Sequence, residues 1–272
     1  MSTGIGAGIS PVFNLKPGSG AIPVCDNLYS VLIDNTDVSQ VKYLSNTSDS
    51  ISLGLNGTGD FSISFWIYPT DLGTGSNMRL ISFGSGSTLP FTNIYINNAG
   101  NGLQFSCSGG SDVVNDGTSA FNPTVNEWVY MTFTMSRTST TSTSNWYADG
   151  VEIAGPVNKP FPQSTNILTN SAGNPLYIGR NPGTAQRMRG NFDDVTIWNK
   201  SLIQSEIIEV MNVTTTNACM DSLSFYSDLS HWWTMGDPDG QASYPTIVDS
   251  IGSVDMTMNG MAASNITTNV PT

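Results

Sequence analysis

Apolar residues recur at every second position in two stretches of the chain, residues 61–69 and 127–135. Strict alternation indicates a β-strand, because successive side chains of a strand point to opposite faces. The intervening positions carry Trp, Tyr, Ser and Thr, so each strand is predicted to have a core face and a second face that bears aromatic rings. The residues predicted to face the core are Phe61, Ile63, Phe65, Ile67, Val129, Met131, Phe133 and Met135.

Further short strands follow the same logic. The Asp149-Gly150 pair lies between two short β-prone runs and predicts a hairpin, because these residue types tolerate the positive φ angles of a tight turn. Two more strands are predicted over residues 175–180 and 191–199. With turn residues recurring throughout the chain, the pattern is typical of a sandwich or a barrel.

One segment, residues 200–212, repeats its apolar residues with a helical period instead. A capping box from Ser201 to Gln204 is expected at its start. A single short helix among many strands predicts an all-β fold, a two-sheet β-sandwich, and no linker divides the chain. The apolar stripe consists of Ile203, Ile207, Val210 and Met211.

The chain begins with a segment of a different kind. Residues 1–24 are rich in Gly and Pro and show no periodicity. Such a segment is flexible when nothing holds it. We therefore expect an extended N-terminal arm that is held by its own domain or by a neighbouring chain.

Composition narrows the classes of function. A chain of 272 residues suffices for one large all-β domain, and its net charge of −12 argues against nucleic-acid binding, which needs clustered Lys and Arg. Neither a membrane-spanning apolar run nor a signal peptide is recognisable, so no membrane partner is expected. Cys25, Cys107 and Cys219 lack metal-ligand spacing, so free thiols in a reducing compartment are expected.

Several passages occur in the order seen in laminin-G-like, concanavalin-A-like jelly rolls, which the chain resembles over roughly residues 30–212. The resemblance implies a two-sheet jelly-roll β-sandwich. Its most specific part is the hairpin, followed by a short strand and then by a strand that leads into a helix. The passages are GDFSISFWIYPTD, NEWVYMTFTMS, WYADGVEIAG, LYIGR and FDDVTIWNKSLIQSEIIEVMN.

The end of the chain resembles the strand, acidic turn and strand with which members of that family commonly begin. The resemblance therefore implies a rearranged strand order, in which the C-terminal segment completes the sandwich. We expect it to pack on its own chain, because termini are commonly close together, with exchange between neighbouring chains as the alternative. The predicted parts are the arm (1–24), a laminin-G-like jelly roll (25–212) and the C-terminal segment (213–272).

Catalysis is not expected. Glucanases of this fold place paired carboxylates on one strand, and their Glu-x-Asp pattern is missing here. Asp193 and Asp194 are adjacent, so on a regular strand their side chains point to opposite sides. The single histidine, His231, lacks a partner with metal-ligand spacing and is expected to be structural, while Trp232 or Trp233 points into the core.

Aromatic rings on a face that points away from the core can stack on sugar rings. A glycan-binding surface or an interface is therefore one hypothesis for the second face of the predicted strands. The alternative is that the helix, loops or the C-terminal segment cover this face. The rings concerned are Trp66, Tyr68, Trp128, Tyr130 and Trp198.

Calcium often accompanies the family that the chain resembles, and carboxylate and amide oxygens are its usual ligands. By its position in the family pattern, Asp193 is the candidate calcium ligand, followed by Asp34 and Asp149. The alternative is that these carboxylates bond loop amides without any metal.

Residues 231–271 are similar to C-terminal passages of lectin-like structural proteins of marine bacteriophages. This resemblance implies a non-enzymatic virion structural protein, a capsid decoration or fibre on the particle exterior, assembled in the host cytoplasm. Its partners would be other virion proteins, the capsid above all, reached through the N-terminal arm, and a symmetric particle favours a homo-oligomer. The alternative is a lectin-like adhesion module that binds host or environmental glycans.

Overall fold

The computed structural model describes most of the chain in separate ranges. The predicted N-terminal arm lies outside the described residues. The ranges are 26–35, 41–49, 59–72, 77–84, 91–97, 102–108, 113–116, 121–138, 141–160, 175–180, 186–216 and 218–272.

Within these ranges the chain forms β-strands and one α-helix, α1 (Gln204–Thr215). The strands are β1 (Ser30–Ile33), β2 (Tyr43–Asp49), β3 (Phe61–Pro69), β4 (Met78–Gly84), β5 (Phe91–Asn97), β6 (Gly102–Ser108), β7 (Val113–Asp116), β8 (Val129–Arg137), β9 (Thr141–Ala148), β10 (Val151–Pro160), β11 (Pro175–Ile178), β12 (Gly190–Trp198), β13 (Leu229–Trp233), β14 (Thr246–Ile247), β15 (Met256–Asn259) and β16 (Ile266–Thr267).

The strands pair in two antiparallel sheets of eight strands each. The first sheet has the order β10-β9-β8-β3-β12-β1-β16, and β13 also pairs with β12. The second sheet has the order β14-β15-β2-β11-β4-β5-β6-β7. The predicted all-β, concanavalin-A-like sandwich is confirmed. In the described part of the chain, no helix is long and apolar enough to cross a membrane.

The core between the sheets holds every residue of β3 and β8 that the alternation places there. Phe65, Met131 and Phe133 are fully buried. Phe133 stacks on Phe105 of the second sheet, with ring centroids 4.2 Å apart, so the two sheets contact each other through aromatic rings. Complete burial of each large apolar side chain contributes about 1.5–3 kcal/mol, which makes this layer the main source of stability.

Helix α1 covers the outward face of the first sheet. Ile207 and Val210 are buried there in a second apolar cluster. Ile203 is not part of the buried stripe as predicted, because it is the N-cap residue and is 60% exposed. The Glu206 carboxylate accepts a hydrogen bond from the Ile203 N–H at 3.1 Å, so the helix start is capped by Glu206 and not by the expected box from Ser201.

The C-terminal segment contributes strands to both sheets of the same chain. Strand β13 pairs with β12 and β16 pairs with β1 in the first sheet, while β15 pairs with β2 in the second. Strands β1 and β13 lie end to end along one side of β12, where β1 pairs with residues 190–192 and β13 with residues 195–198. The two ends of the sequence therefore complete one edge together.

A buried His–Asp pair anchors the C-terminal passage. His231 Nδ1 lies 2.5 Å from Asp249 Oδ2, and the backbone N–H groups of Trp232 and Gly252 donate to Asp249 Oδ1 at 3.1 and 2.9 Å. Burial raises the pKa of Asp249, but these hydrogen bonds outweigh it and leave the pKa below its ordinary value. Trp233 lies between the sheets and Trp232 in the outer cluster, so both rings are buried, on opposite sides of the strand.

Cys219 is disulfide-bonded, which corrects the prediction that all three cysteines are free thiols. Its partner is not among the side chains that the structure describes. Sequence spacing could not reveal the bond, because a disulfide requires only that two Cα atoms lie within about 4.4–6.8 Å in space. Disulfides persist in oxidising surroundings, so the argument for a reducing compartment loses its basis.

Candidate ligand-binding face

Three of the five rings predicted to face a ligand are buried, which corrects the prediction of an aromatic binding row on the first sheet. Trp66 and Tyr130 have ring centroids 5.0 Å apart, and the Trp66 indole N–H donates to Thr214 Oγ1 of α1 at 2.8 Å. Trp198 packs on Phe225 with ring centroids 5.4 Å apart. The helix and the segment that follows it therefore cover this face, as the alternative interpretation held.

Tyr68 and Trp128 are half-buried at one end of the same face. Their ring centroids lie 5.5 Å apart, and the Trp128 indole N–H donates to Asn269 Oδ1 at 3.3 Å. The C-terminal segment of the chain thus occupies the hydrogen-bonding edge of Trp128. The outward face of the first sheet offers a single pair of rings rather than a row.

Asp193 and Asp194 lie at a β-bulge of β12. Asp194 has a φ of 43°, and the pairing of β12 with β3 skips from residue 193 to residue 196. The bulge interrupts the alternation, so the prediction that the two side chains point to opposite sides is wrong. Both carboxylates are buried and both interact with Asn27 and Asp237.

These carboxylates tie the beginning of the described chain to the turn after β13. Burial raises the pKa of Asp193 well above its ordinary value, and the charges of Asp194 and Asp237 raise it further. Asp237 Oδ1 accepts the Leu28 N–H at 3.0 Å. A cavity of about 10 Å³ lies between these segments, which is room for about one water molecule.

The donor set does not fit a calcium site. Among the residues that the structure describes, no group of three or more His, Cys, Asp and Glu side chains converges to hold a metal ion. Asp193 Oδ2 is buried without a hydrogen-bond partner, yet one spare oxygen falls far short of the roughly six to eight ligands that Ca²⁺ takes. Asp149 Oδ1 accepts the Tyr130 N–H at 2.9 Å, and Asp34 lies on a separate element, just after β1.

The outward face of the second sheet carries polar side chains in register. One row crosses the neighbouring strands β2, β11, β4, β5 and β6. Adjacent strands lie about 4.8 Å apart, so the row extends over about 19 Å. The alternate positions Leu44, Ile178 and Ile81 are buried in the core, which places the row on the opposite face. The row consists of Ser45, Tyr177, Ser82, Asn93 and Ser106.

Two further tyrosines and two arginines flank this row. The Tyr43 and Tyr177 ring centroids are 5.9 Å apart, and the Arg180 guanidinium lies 4.7 Å from the Tyr43 ring centre. The Arg79 guanidinium lies 4.1 Å from the Tyr95 ring centre. Tyr43, Tyr177 and Arg180 are half-buried and form what we call the rim, whereas Arg79 and Tyr95 are buried.

We call the buried residues Arg79, Ser82 and Asn93 the floor of this face. Ser82 Oγ, Asn93 Oδ1 and Arg79 Nη1 are all buried without a hydrogen-bond partner. Such groups cost about 1–3 kcal/mol each when left unpaired, and buried polar groups in folded proteins are normally satisfied by protein, water or ligand. The Arg79 Nε–H is already used, donating to Gln186 Oε1 at 2.6 Å. The floor therefore has spare hydrogen-bonding capacity in a fixed arrangement.

The sequence assigns this face no role, although a signal for it exists. In β5 the residues Asn93, Tyr95 and Asn97 alternate with Ile94 and Ile96, a pattern that predicts a polar outward face. The larger aromatic residues lie on β3 and β8, so the sequence favours the first sheet as the binding face. Whether the rings of the first sheet are covered depends on where the helix packs, and no local pattern states that.

Two antiparallel sheets with a polar, ring-bearing outward face define a lectin-like jelly roll. The chain belongs to the concanavalin A-like lectin/glucanases superfamily, whose family model matches residues 42–208. No curated protein matches the sequence. The family model and the structures named here do not bear out the resemblance to bacteriophage proteins.

Several solved structures are similar to the chain. A candidate carbohydrate-binding protein from Bacteroides ovatus ATCC 8483 superposes with a TM-score of 0.59 at 13% identity, over 91% of this chain and 60% of that one. This chain thus spans less than two thirds of that protein. The CBM40 of a Ruminococcus gnavus IT-sialidase has a TM-score of 0.48 at 14% identity, over 67% and 96% of the two chains. A heptameric SAP-like pentraxin from Limulus polyphemus has a TM-score of 0.47 at 14% identity, over 68% and 82%.

Proposed function

We propose that the protein is a carbohydrate-binding module and that the outward face of its second sheet binds the glycan. The observation that carries the proposal is the placement of two half-buried rings, Tyr43 and Tyr177, beside the unpartnered polar atoms of the floor. Ligand sites combine apolar surface with a few polar groups in fixed positions, and this face has both.

The chemistry of a sugar matches the two kinds of group. A phenol ring offers a flat apolar surface to the C–H face of a sugar ring, and its hydroxyl remains a hydrogen-bonding group. Burial raises the pKa of Tyr177, so this phenol is neutral at ordinary pH and can donate its hydrogen. Ser82 and Asn93 pair directly across β4 and β5, so a hydroxyl-rich ligand that displaces what covers these buried side chains can satisfy both at once.

The family supports the same class of ligand. The fold is that of lectins and glucanases, and the structure from B. ovatus is described as a candidate carbohydrate-binding protein. A buried donor or acceptor that needs a partner also supplies selectivity, because a ligand without the matching group leaves it unpaired. The floor thus favours sugars that present hydroxyls at two neighbouring positions.

The test uses the full chain on a panel of immobilised oligosaccharides, followed by calorimetry with the tightest binder. Tyr177→Ala removes a stacking ring and is expected to weaken binding about tenfold, which corresponds to about 1.4 kcal/mol. Tyr68→Ala is the matched control, because it removes a half-buried tyrosine from the outward face of the first sheet. Loss of binding in the Tyr68 variant with full binding in the Tyr177 variant would place the glycan on the first sheet and refute the proposal.

We further propose that binding occurs without catalysis. The Asp194 carboxylate accepts hydrogen bonds from Asn27 and Trp232, Asp193 Oδ1 accepts the Asp194 N–H, and both groups are buried rather than facing a ligand. Incubation with the bound oligosaccharide should release no new reducing ends. Any release of new reducing ends would contradict this proposal, and its persistence in Asp193→Asn would require other catalytic carboxylates.

A place on the exterior of a bacteriophage particle, with capsid partners and a homo-oligomeric state, stays a prediction. It depends on the resemblance of the C-terminal passage, and a glycan-binding face suits both a particle component and a free adhesion module. Quantitative mass spectrometry of purified particles tests it. Copies in a fixed ratio to the capsid protein would support the prediction, and absence from particles would end it.

A further inference from the structure

We propose that the glycan bound on the second sheet is anionic, with carboxylate or sulfate groups that pair with Arg79 and Arg180. The inference rests on the proposed function, since it names the class of sugar for the same face. It depends on the placement of these two guanidinium groups, which a neutral sugar would leave without a counter-charge.

Arg79 is a buried cation with an incomplete set of partners. Its side chain is 9% exposed, its Nε–H donates to Gln186 Oε1 and its Nη1 has no hydrogen-bond partner. Burial lowers the pKa of Arg79 to about 10, so the guanidinium remains charged at neutral pH. The adjoining Tyr95 ring attracts the cation through its π face, but this attraction is weaker than the cost of burying an ion without a counter-charge.

Arg180 repeats the arrangement at the rim. Its guanidinium lies over the Tyr43 ring and its Nε is buried without a hydrogen-bond partner. The backbone of Arg180 forms a bridge with Arg187, next to Gln186, the acceptor from Arg79. Two guanidinium groups thus border the same tyrosine-bearing row from the end of β11 and from β4.

The charge of the rest of the chain makes this placement informative. The chain carries nine Lys and Arg against twenty-one Asp and Glu, so carboxylate partners are plentiful. Arg189 pairs with Asp71 and Lys200 with Glu206. Within the described ranges, neither Arg79 nor Arg180 has a carboxylate within ion-pair distance. Guanidinium groups bind carboxylates and sulfates through paired N–H groups in a fixed geometry, so an anionic sugar completes both.

Calorimetry on the full chain compares three probes: an oligogalacturonate with carboxylates, a heparin-derived oligosaccharide with sulfates, and a neutral galacto-oligosaccharide. At least one anionic probe is expected to bind ten or more times tighter than the neutral one. Raising the salt from about 0.1 M to 1 M should erase most of that difference, because screening shortens from about 10 Å to 3 Å. Carboxyl-reduced and desulfated versions then identify which group is recognised.

Arg180→Gln should weaken the anionic probe at least tenfold and leave neutral binding within twofold. Lys200→Gln is the matched control, since it removes one positive charge at the start of α1, against the first sheet, and should change neither. Arg79→Lys keeps the charge but loses the paired N–H geometry, and it should weaken the anionic probe at least threefold with an unchanged melting temperature. If the Arg79 variant does not fold, the Arg180 comparison decides the inference by itself.

The possible outcomes distinguish the anionic inference from the carbohydrate-binding function on which it rests. Equal affinity for neutral and anionic probes, with Tyr177→Ala weakening both, would overturn the anionic inference and leave the carbohydrate-binding function standing. Anionic binding that falls equally in the Lys200 and Arg180 variants would show attraction to overall charge and would also overturn it. Absence of binding to every oligosaccharide on the panel would overturn both.

Discussion

Replacing Asp249 by Asn is the sharpest test of how the C-terminal passage is held. Asp249 Oδ1 accepts the N–H groups of Trp232, Ile251 and Gly252 at 3.1, 3.3 and 2.9 Å. Its Oδ2 faces His231 Nδ1 at 2.5 Å and accepts the Val254 N–H at 3.2 Å. An asparagine at this position can accept the three backbone hydrogen bonds of Oδ1 through its amide oxygen. Its NH₂ group then occupies the place of Oδ2.

The expected cost follows from the two hydrogen bonds that the charged Oδ2 makes, to His231 and to the Val254 N–H. Hydrogen bonds to a charged group contribute about 1.5–3 kcal/mol each, and an NH₂ group facing the Val254 N–H leaves that donor unpaired. Asp249→Asn should therefore lower the free energy of unfolding at pH 7 by about 3–5 kcal/mol. This is a large part of the roughly 5–15 kcal/mol that stabilises an ordinary domain.

Equilibrium denaturation in urea measures this difference, with Asp255→Asn as the matched control. Asp255 is exposed and its Oδ1 accepts the Asp249 N–H at 2.9 Å, an interaction that an asparagine retains. The control should change the free energy of unfolding by less than about 0.5 kcal/mol. A cost below about 1 kcal/mol for Asp249→Asn would refute the view that this carboxylate anchors the passage.

The same pair has a defined pH dependence. The hydrogen bonds that Asp249 accepts hold its pKa below 3.8 in the folded protein despite burial. The ionised group therefore contributes stability above the unfolded pKa, and that contribution is lost as the pH falls through the folded pKa. The gap between the native protein and Asp249→Asn should narrow below about pH 4. A gap that stays constant down to pH 3 would contradict this assignment.

Two other outcomes are expected. Asp194→Asn should raise the free energy of unfolding at pH 8 and change it little at pH 4, because burial and Asp237, opposed by the Trp232 hydrogen bond, raise the pKa of Asp194 to about 7. A raised folded pKa means that stability is present below the unfolded pKa and is lost as the pH rises toward 7, so destabilisation at pH 8 would contradict the assignment. Thiol titration of the denatured, unreduced protein should find one free thiol per chain, since Cys219 is disulfide-bonded. Three free thiols would rule out the bond.

The strands and their core faces were readable from the sequence. The alternation in β3 and β8 correctly predicted which residues lie between the sheets, and Asp149-Gly150 does form the turn, with φ angles of 48° and 73°. The helix was also predicted, but Ile203, which was assigned to its buried apolar stripe, is exposed at the N-cap. The error arose because periodicity places residues on one face of a helix and does not say where the helix leaves the surface of the sheet.

The candidate site was not readable in the same way. Trp66 and Trp198 occupy outward positions on strands of the first sheet, and Tyr43 and Tyr177 occupy outward positions on strands of the second. The sequence patterns of these strands are similar. The first pair lies beneath α1 and the segment after it, whereas the second remains half-buried on the other sheet. The larger rings were predicted to bind a ligand, but Trp66 and Trp198 are buried.

By itself, the sequence determined the class of fold, the composition of the core and the position of the hairpin. These follow from the two-residue repeat of a strand and from turn chemistry, which are local properties of the chain. The tertiary structure alone decided which rings of the first sheet are covered, where the bulge turns Asp193 and Asp194 toward shared neighbours, that Cys219 has a partner, and that Arg79 lies buried near Ser82 and Asn93. These are interactions between residues distant in sequence, and no local pattern encodes which distant segment comes to cover a face.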